Sequence, residues 1–451
     1  MEILIGAEQK TIKIADGVAI IAGMVIGPGI FKTPSLVAAN SSGEFAVLML
    51  WVLGGLISFS GALCYAELSS TYPNAGGEYY YLSRSFGRRI GFLFAWARMT
   101  VIQTGSIAML SFIIGDYASD VLNLGPYSSS LYAMLTVFLL TAINLKGIRF
   151  SSSIQKILLI CLFAGLMLII ITGLALAPRS EVHEAPALNT GAVTGQALIF
   201  ILLTYGGWNE ASYISTDVGR KSNDIVKVLI YSIGLITVTY LITNLSLIRG
   251  LGFQGVSSSS TVAADLIGKV LGTGWVSVIS IIISVAALST VNAVMITGAR
   301  TNYALGRDFS IFRFLAGSGE TLPANAFLFQ SGISILLIFL GTAARSGFTT
   351  MVEYTAPVFW LFFLLVGISL FTLRRRENGI SRPFSVPLYP VVPFIFCLAA
   401  AYMLYASLVY TGAGAVIGVA VLLTGIPFLL LQKYKSNKAS ENLNNNREDN
   451  L

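Results

Sequence analysis

The chain has 451 residues, 55% of them hydrophobic and only 11% charged, with 44 glycines and a formal net charge of +7. A soluble domain carries about 25% charged residues, so this composition excludes a water-soluble globular protein and makes lipid the solvent. The positive balance does not indicate nucleic acid, because Lys and Arg sit in short segments between apolar runs rather than on one face of a domain.

A membrane-spanning helix needs about 20 predominantly apolar residues. Twelve runs are read as spans: 14–38, 45–70, 90–120, 130–146, 151–177, 194–217, 226–249, 272–300, 325–344, 350–373, 388–409 and 412–432. The first follows Lys10 and Lys13 and outlasts the apolar core of a signal peptide, so it is expected to be a retained helix. With the N-terminus inside, the inner segments carry Arg84, Arg88, Arg89, Lys146, Arg300, Arg374, Arg375, Arg376, Arg382 and others, the outer ones only Arg179, Arg249, Lys269 and Arg345. That bias, about 21 to 4, places both termini in the cytoplasm and the protein in the plasma (inner) membrane. Residues 1–13 form a short N-terminal segment, and 436–451, polar and Asn-rich, is expected to be disordered.

The first and sixth runs are broken at their middles. The first reads IIAGMVIGPGIFKTPS, with Gly27, Pro28 and Gly29 in mid-span, and the sixth reads FILLTYGGWNEASYIS, with Gly206 and Gly207. Gly costs about 1 kcal/mol and Pro about 3 kcal/mol in a helix interior, and in lipid each released backbone group must find another partner. Such breaks persist where the backbone lines a cavity. They lie roughly 180 residues apart, at matching places in two halves, and paired interruptions of this kind mark the binding site of inverted-repeat transporters. The expected architecture is therefore an all-α polytopic membrane protein of about twelve transmembrane helices. A first five-helix repeat covers 14–177, a second, inverted one covers 194–373, and two additional helices cover 388–432.

Several ionisable residues fall inside these runs, where they are functional candidates by default. Lys156 lies about six residues into the fifth run, near enough to the cytoplasmic end to snorkel. Glu210 follows the sixth-run break and is able to meet a cationic substrate, take a proton or bond freed N–H groups, with Lys32, one turn past the first break, a candidate ion-pair partner. Arg98 must face protein or a cavity, and Glu67 and Glu353 are read as partners for such cations. His183 lies in a polar outer loop as a solvated residue. Cys64, Cys161 and Cys397 are far apart inside apolar runs, so neither a disulfide framework nor a metal site is expected. There is no clustering of His, Cys or paired carboxylates as an enzyme requires, no repeated pore-lining motif as in a channel, and no signalling domain as in a receptor; no cofactor is expected.

The broken runs also carry a resemblance. Gly27-Pro28-Gly29-Ile30-Phe31, Tyr205-Gly206-Gly207-Trp208-Asn209, Pro73-Asn74-Ala75-Gly76-Gly77-Glu78-Tyr79 and Arg382-Pro383-Phe384 together resemble signatures of the amino acid–polyamine–organocation superfamily, nearest its L-type amino acid transporter branch, over about residues 14 to 430. The resemblance implies a LeuT-like permease that carries an L-amino acid by alternating access, as an antiporter (exchanger) or proton-coupled symporter; polyamines or cationic amino acids are the alternative. It agrees with elementary chemistry. N–H groups at Gly27, Gly29 and Ile30, at the positive end of a half-helix, suit a substrate carboxylate. Carbonyls at Gly23, Tyr205 and Gly206 suit its ammonium, Tyr205 and Trp208 would form walls or gates, and Asn209 would hydrogen-bond across the unwound segment. The resemblance further implies that Lys156 takes the place of the sodium ion of related folds, with the Gly23 carbonyl and the hydroxyls of Ser289 or Thr290 as its partners.

The chain departs from the family's pattern in three places. Pro28 stands between the two glycines and has no N–H to offer a carboxylate. Leu203, two residues before Tyr205, replaces an aromatic gate. The loop after the third span, DVLNLGPYSSS, lacks the cysteine by which animal members join a glycoprotein, so no heavy-chain glycoprotein partner is expected.

Overall fold

The computed structural model describes residues 13–74, 76–146, 152–178, 190–214, 224–316, 324–344 and 346–448. His183 and residues 1–12 lie outside them, as does the side chain of Lys156. In chain order the helices are α1 Ile14–Val25, α2 Thr33–Ala39, α3 Glu44–Thr71, α4 Gly77–Phe86, α5 Arg88–Ala97, α6 Gln103–Val121, α7 Ser128–Leu145, α8 Ser152–Ile171 and α9 Thr190–Thr204. They continue with α10 Asp224–Ser258, α11 Val262–Leu271, α12 Gly274–Asp308, α13 Arg313–Ala316, α14 Ala324–Ala343, α15 Gly347–Arg376, α16 Val391–Val409 and α17 Ala413–Glu448. Among the described residues there is no strand, and nine helical stretches are long and apolar enough to cross a membrane. The protein is an all-α polytopic membrane protein. Its apolar residues are not confined to the interior: Phe45 is 76% exposed and Leu336 67%, as expected where lipid covers the outside.

Nine of the twelve expected spans coincide with these stretches, and 14–38, 151–177 and 194–217 hold the shorter helices α1, α2, α8 and α9; the departures have physical causes. The run 90–120 is α5 and α6 joined through a π-helical turn, Arg98–Ile102, at the buried Arg98. A second such turn, Thr172–Leu176, follows α8, beside which Ser246 of α10 donates to the Ile169 carbonyl at 2.7 Å. A non-helical Gly252, at φ 77°, kinks α10. Three helices lie outside the spans: α13, of four residues, and α4 and α11, which are short and amphipathic, with apolar residues recurring at helical spacing over too few residues to cross a bilayer. The polar run from 436, expected to carry no regular structure, is helical through Glu448; it contains neither Gly nor Pro to stop α17.

The chain divides into two compact units: residues 1–85, 161–282 and 360–410 form the first, and 86–160, 283–359 and 411–451 the second. Each unit draws on both halves of the chain. Within the first, α10 packs on α1, α2 and α3, while α9 packs on α2, α3 and α16. Within the second, α6, α7 and α14 pack together and α17 lies against α5, where the Trp96 indole donates to the Val421 carbonyl at 2.9 Å.

Candidate functional site

The first break is built by backbone chemistry. Ile26 N–H closes the last turn of α1 on the Ala22 carbonyl at 2.7 Å; Gly27 then turns extended and its N–H doubles back to Val25 O at 2.7 Å. The Gly23 carbonyl thus loses the N–H that would continue the helix, and the Met24 carbonyl loses its own because Pro28 has none. Residues Pro28–Phe31 make one tight 3-10 turn before α2 resumes. The donors differ from expectation: the Gly27 N–H is engaged within the break. The Ile30 N–H reaches Gly27 O only at a long 3.5 Å, so Gly29 and Ile30 are the turn's better-placed donors toward an anion.

At the second break α9 ends on a Tyr205-to-Ile201 bond of 2.9 Å, Gly206 N–H tightens onto Leu203 O at 3.1 Å, and Gly207 takes a φ of 110°. The Tyr205 and Gly206 carbonyls lie past the last α-helical turn. A 3-10 segment, Trp208–Ile214, follows. Asn209 folds back so that its Oδ1 accepts the Gly207 N–H at 3.2 Å.

The two breaks are neighbours inside the first unit. A Cβ on Gly207 would lie 3.3 Å from the Met24 carbonyl oxygen, and the Thr33 and Thr204 hydroxyls are 2.6 Å apart. The Tyr240 hydroxyl of α10 stands 2.7 Å from Val25 O and 3.0 Å from Thr204 O, able to donate to either. Two interrupted segments and one tyrosine thus form a single polar locus, of which Gly23, Gly29, Gly206, Gly207 and Glu210 are partly exposed.

The aromatic residues of the sixth run are placed otherwise than as free gates. Tyr205 is fully buried, its hydroxyl donating to Trp51 O at 3.1 Å and its ring against Trp51 and Tyr240. Trp208 is buried edge-on to Tyr65 and Phe363, at 5.0 and 5.6 Å. Both support the broken segment from behind. Lys32 donates through Nζ to Ser260 O at 2.9 Å. Ser289 and Thr290 are half-buried on α12 in the second unit, whereas Gly23 is in the first. Lys156 lies on α8, with its side chain outside the described residues.

Three residues escaped the sequence reading of the site: Tyr240, Glu78 and Tyr213. Glu78, in the first turn of α4, is 3% exposed; its Oε1 accepts from the Tyr65 hydroxyl at 2.5 Å and the Asn209 amide at 3.3 Å, and its Oε2 from the Tyr213 hydroxyl at 3.2 Å. Glu78 stood inside a quoted signature, and a carboxylate next to two glycines in an apolar chain was the available signal. Glu67 meets two arginines: it takes both ends of the Arg374 guanidinium, with Arg382 at 3.5 Å and the Val386 N–H at 2.7 Å. Nearby, Arg84 grips both oxygens of Glu377 at 2.9 and 3.1 Å, and the Tyr72 hydroxyl adds a bond of 3.0 Å. The Arg84 guanidinium holds the Glu377 carboxyl below its usual range, while burial, aided by Glu377, pushes Tyr72 up to about 12. Among the described residues no group of three or more His, Cys, Asp or Glu is placed to hold a metal ion.

Comparison with known proteins places the chain among amino acid permeases. The family model described as amino acid permease matches residues 16–431. The chain is similar to the large neutral amino acids transporter small subunit 2 of Homo sapiens, 30% identical over 450 residues that cover 96% of this chain and 82% of the relative. It is 27% identical to the b(0,+)-type amino acid transporter 1 of Rattus norvegicus, over 94% of this chain and 88% of that one. It is also 28% identical to the Asc-type amino acid transporter 1 of Mus musculus, over 94% and 81%.

Proposed function

Because this chain belongs to the amino acid permease family, a family of transporters and not of enzymes, we propose that it carries L-amino acids across the plasma membrane by alternating access around the two facing breaks. The observation that carries this reading is their adjacency: helix-released carbonyls of Gly23 and Met24 and the weakly engaged N–H groups of Gly29 and Ile30 stand beside the open turn at Gly206 and Gly207. A zwitterion needs this combination, acceptors for its ammonium and donors at a half-helix N-terminus for its carboxylate. On this reading the chain is a five-plus-five inverted repeat with two added helices and cytoplasmic termini. Lys156, Ser289 and Thr290 couple substrate binding to the rearrangement, by exchange or proton symport and without sodium. The chain works without a heavy-chain glycoprotein, since its cysteines, Cys64, Cys161 and Cys397, all lie in apolar helices.

A second reading, transport of polyamines or cationic amino acids, draws on a specific feature. Pro28 has no N–H and that of Gly27 is engaged, which thins the carboxylate side of the site, while the partly exposed Glu210 offers a negative charge. Uptake into proteoliposomes separates the two. Labelled L-alanine, L-leucine, L-arginine and putrescine are offered at two external pH values, with and without unlabelled substrate inside. Saturable uptake of a neutral amino acid supports the first reading, dependence on internal substrate identifies exchange, and dependence on external acid identifies proton symport. Putrescine uptake alone replaces the first reading by the second, and Lys156→Ala with wild-type flux removes that lysine from the mechanism.

A further inference from the structure

Asn209 has an amide whose two ends are chemically distinct, one an acceptor and the other a donor. Its Oδ1 accepts the Gly207 N–H at 3.2 Å, and its Nδ2 donates to Glu78 Oε1 at 3.3 Å. An ionised carboxylate only accepts, so Glu78 fixes which end of the Asn209 amide faces the break. The approach of α4 to this segment is also built into the backbone. Gly77, immediately before Glu78, sits at φ 47°, and a Cβ there would lie 2.7 Å from Ser212 Oγ and 2.9 Å from the Tyr213 ring. Tyr65 of α3 and Tyr213 of the 3-10 segment hold the same carboxylate at 2.5 and 3.2 Å.

We infer that Glu78 is a positioning residue for substrate binding. By orienting the Asn209 amide it keeps the Gly207 N–H turned inward and the sixth-helix break open to substrate. The inference rests on the transport reading above and deepens it: the carboxylate does not touch substrate, but sets the backbone that does. Replacement of Glu78 by an amide of the same shape frees Asn209 to turn over, since an amide both donates and accepts. Exchanging the two groups restores the link between them: a carboxylate at position 209 accepts both the Gly207 N–H and an amide N–H from position 78, while the Tyr65 hydroxyl, which shares that end of the side chain, turns to accept.

The test is a double-mutant cycle on Glu78→Gln, Asn209→Asp and the combined variant, all in proteoliposomes with labelled L-alanine, L-leucine and L-arginine, alongside thermal unfolding of each purified protein. Each single variant is expected to raise KM about tenfold, a size within the usual range of coupling between contacting groups, and the combined variant to recover most of that loss. A purely structural role moves the unfolding temperature without the reciprocal recovery of KM. Unchanged KM in both singles, or a double variant no better than the worse single, overturns the inference. If Glu78→Gln does not fold, the comparison of Asn209→Asp with the double variant decides the same question. Wild-type vesicles that take up none of the three amino acids sink the transport reading, and this inference with it; wild-type uptake with an unmoved KM sinks the inference alone.

Discussion

Glu67 on α3 and Glu78 on α4 are both almost wholly buried in the same unit, and the contrast in what holds them separates a support from a working part. Glu67 is met by two guanidinium groups, Arg374 and Arg382, and by the Val386 N–H, which tie the end of α15 and the segment after it to α3. Arg374 is further fixed over the Tyr389 ring, 3.8 Å from its centre. Glu78 receives the Tyr65 and Tyr213 hydroxyls and the Asn209 amide, and through that amide it reaches an unwound backbone. A bidentate charge pair holds two elements in one geometry, whereas neutral donors are weaker and their loss is more local.

That contrast breaks most visibly at Glu67. Removing one partner of a buried ion pair leaves the other charge uncompensated and costs about 3–5 kcal/mol; with Arg374 and Arg382 partly exposed, about 3 kcal/mol is expected for Glu67→Ala. The unfolding temperature in detergent should fall by several degrees, while KM in the surviving folded fraction stays near wild type. A variant as stable as wild type shows that water already relieves the arginines. A lowered unfolding temperature together with a changed KM merges the two carboxylates into one functional network.

Next in size is Gly207→Ala. The positive φ costs a residue with a side chain about 1–3 kcal/mol, and the new Cβ would press the Met24 carbonyl at 3.3 Å and a Val25 methyl at 3.4 Å. Because the strain falls between the two breaks, uptake should drop at least tenfold. Wild-type flux in this variant would show that the breaks do not need this close approach. Tyr240→Phe sharpens the same point more gently. Losing a hydroxyl that serves the Val25 and Thr204 carbonyls costs about 1 kcal/mol and should raise KM several-fold with little change in unfolding temperature. An unaltered KM would make Tyr240 a helix-packing residue only.

What the sequence disclosed follows from the range of each interaction. The spans were legible because a bilayer selects run length, and the breaks because Gly and Pro act on their own backbone, as at Gly27-Pro28-Gly29 and Gly206-Gly207. The engaged Gly27 N–H was less so: knowing that Pro28 ends the helix does not say where the freed groups turn. The inward-packed rings of Tyr205 and Trp208 depend on Trp51, Tyr65 and Phe363, residues on other helices. Glu67 finds its arginine 307 positions away, and Glu78 its asparagine 131. Neither separation leaves a mark on local periodicity, so Arg374 and Arg382 were not legible as partners of Glu67.

The smallest effect belongs to the exposed end of the same comparison, where Arg84 and Glu377 repeat the bidentate grip of the Glu67 pair closer to water, with side chains 36% and 22% exposed. The Arg84 guanidinium, opposed by partial burial, lowers the Glu377 carboxyl below its ordinary range. A carboxylate with a depressed folded-state pKa adds stability above its unfolded value and loses it as the pH falls through the folded one. The contribution should therefore be complete at neutral pH and fade below about pH 4. An exposed pair is worth about 0.5 kcal/mol, so Glu377→Gln should lower the unfolding temperature by about a degree at pH 7. The gap should close in acid and shrink in high salt. A gap that persists at low pH, where the protonated carboxyl and the amide are both neutral, assigns the loss to packing of the substituted side chain rather than to charge.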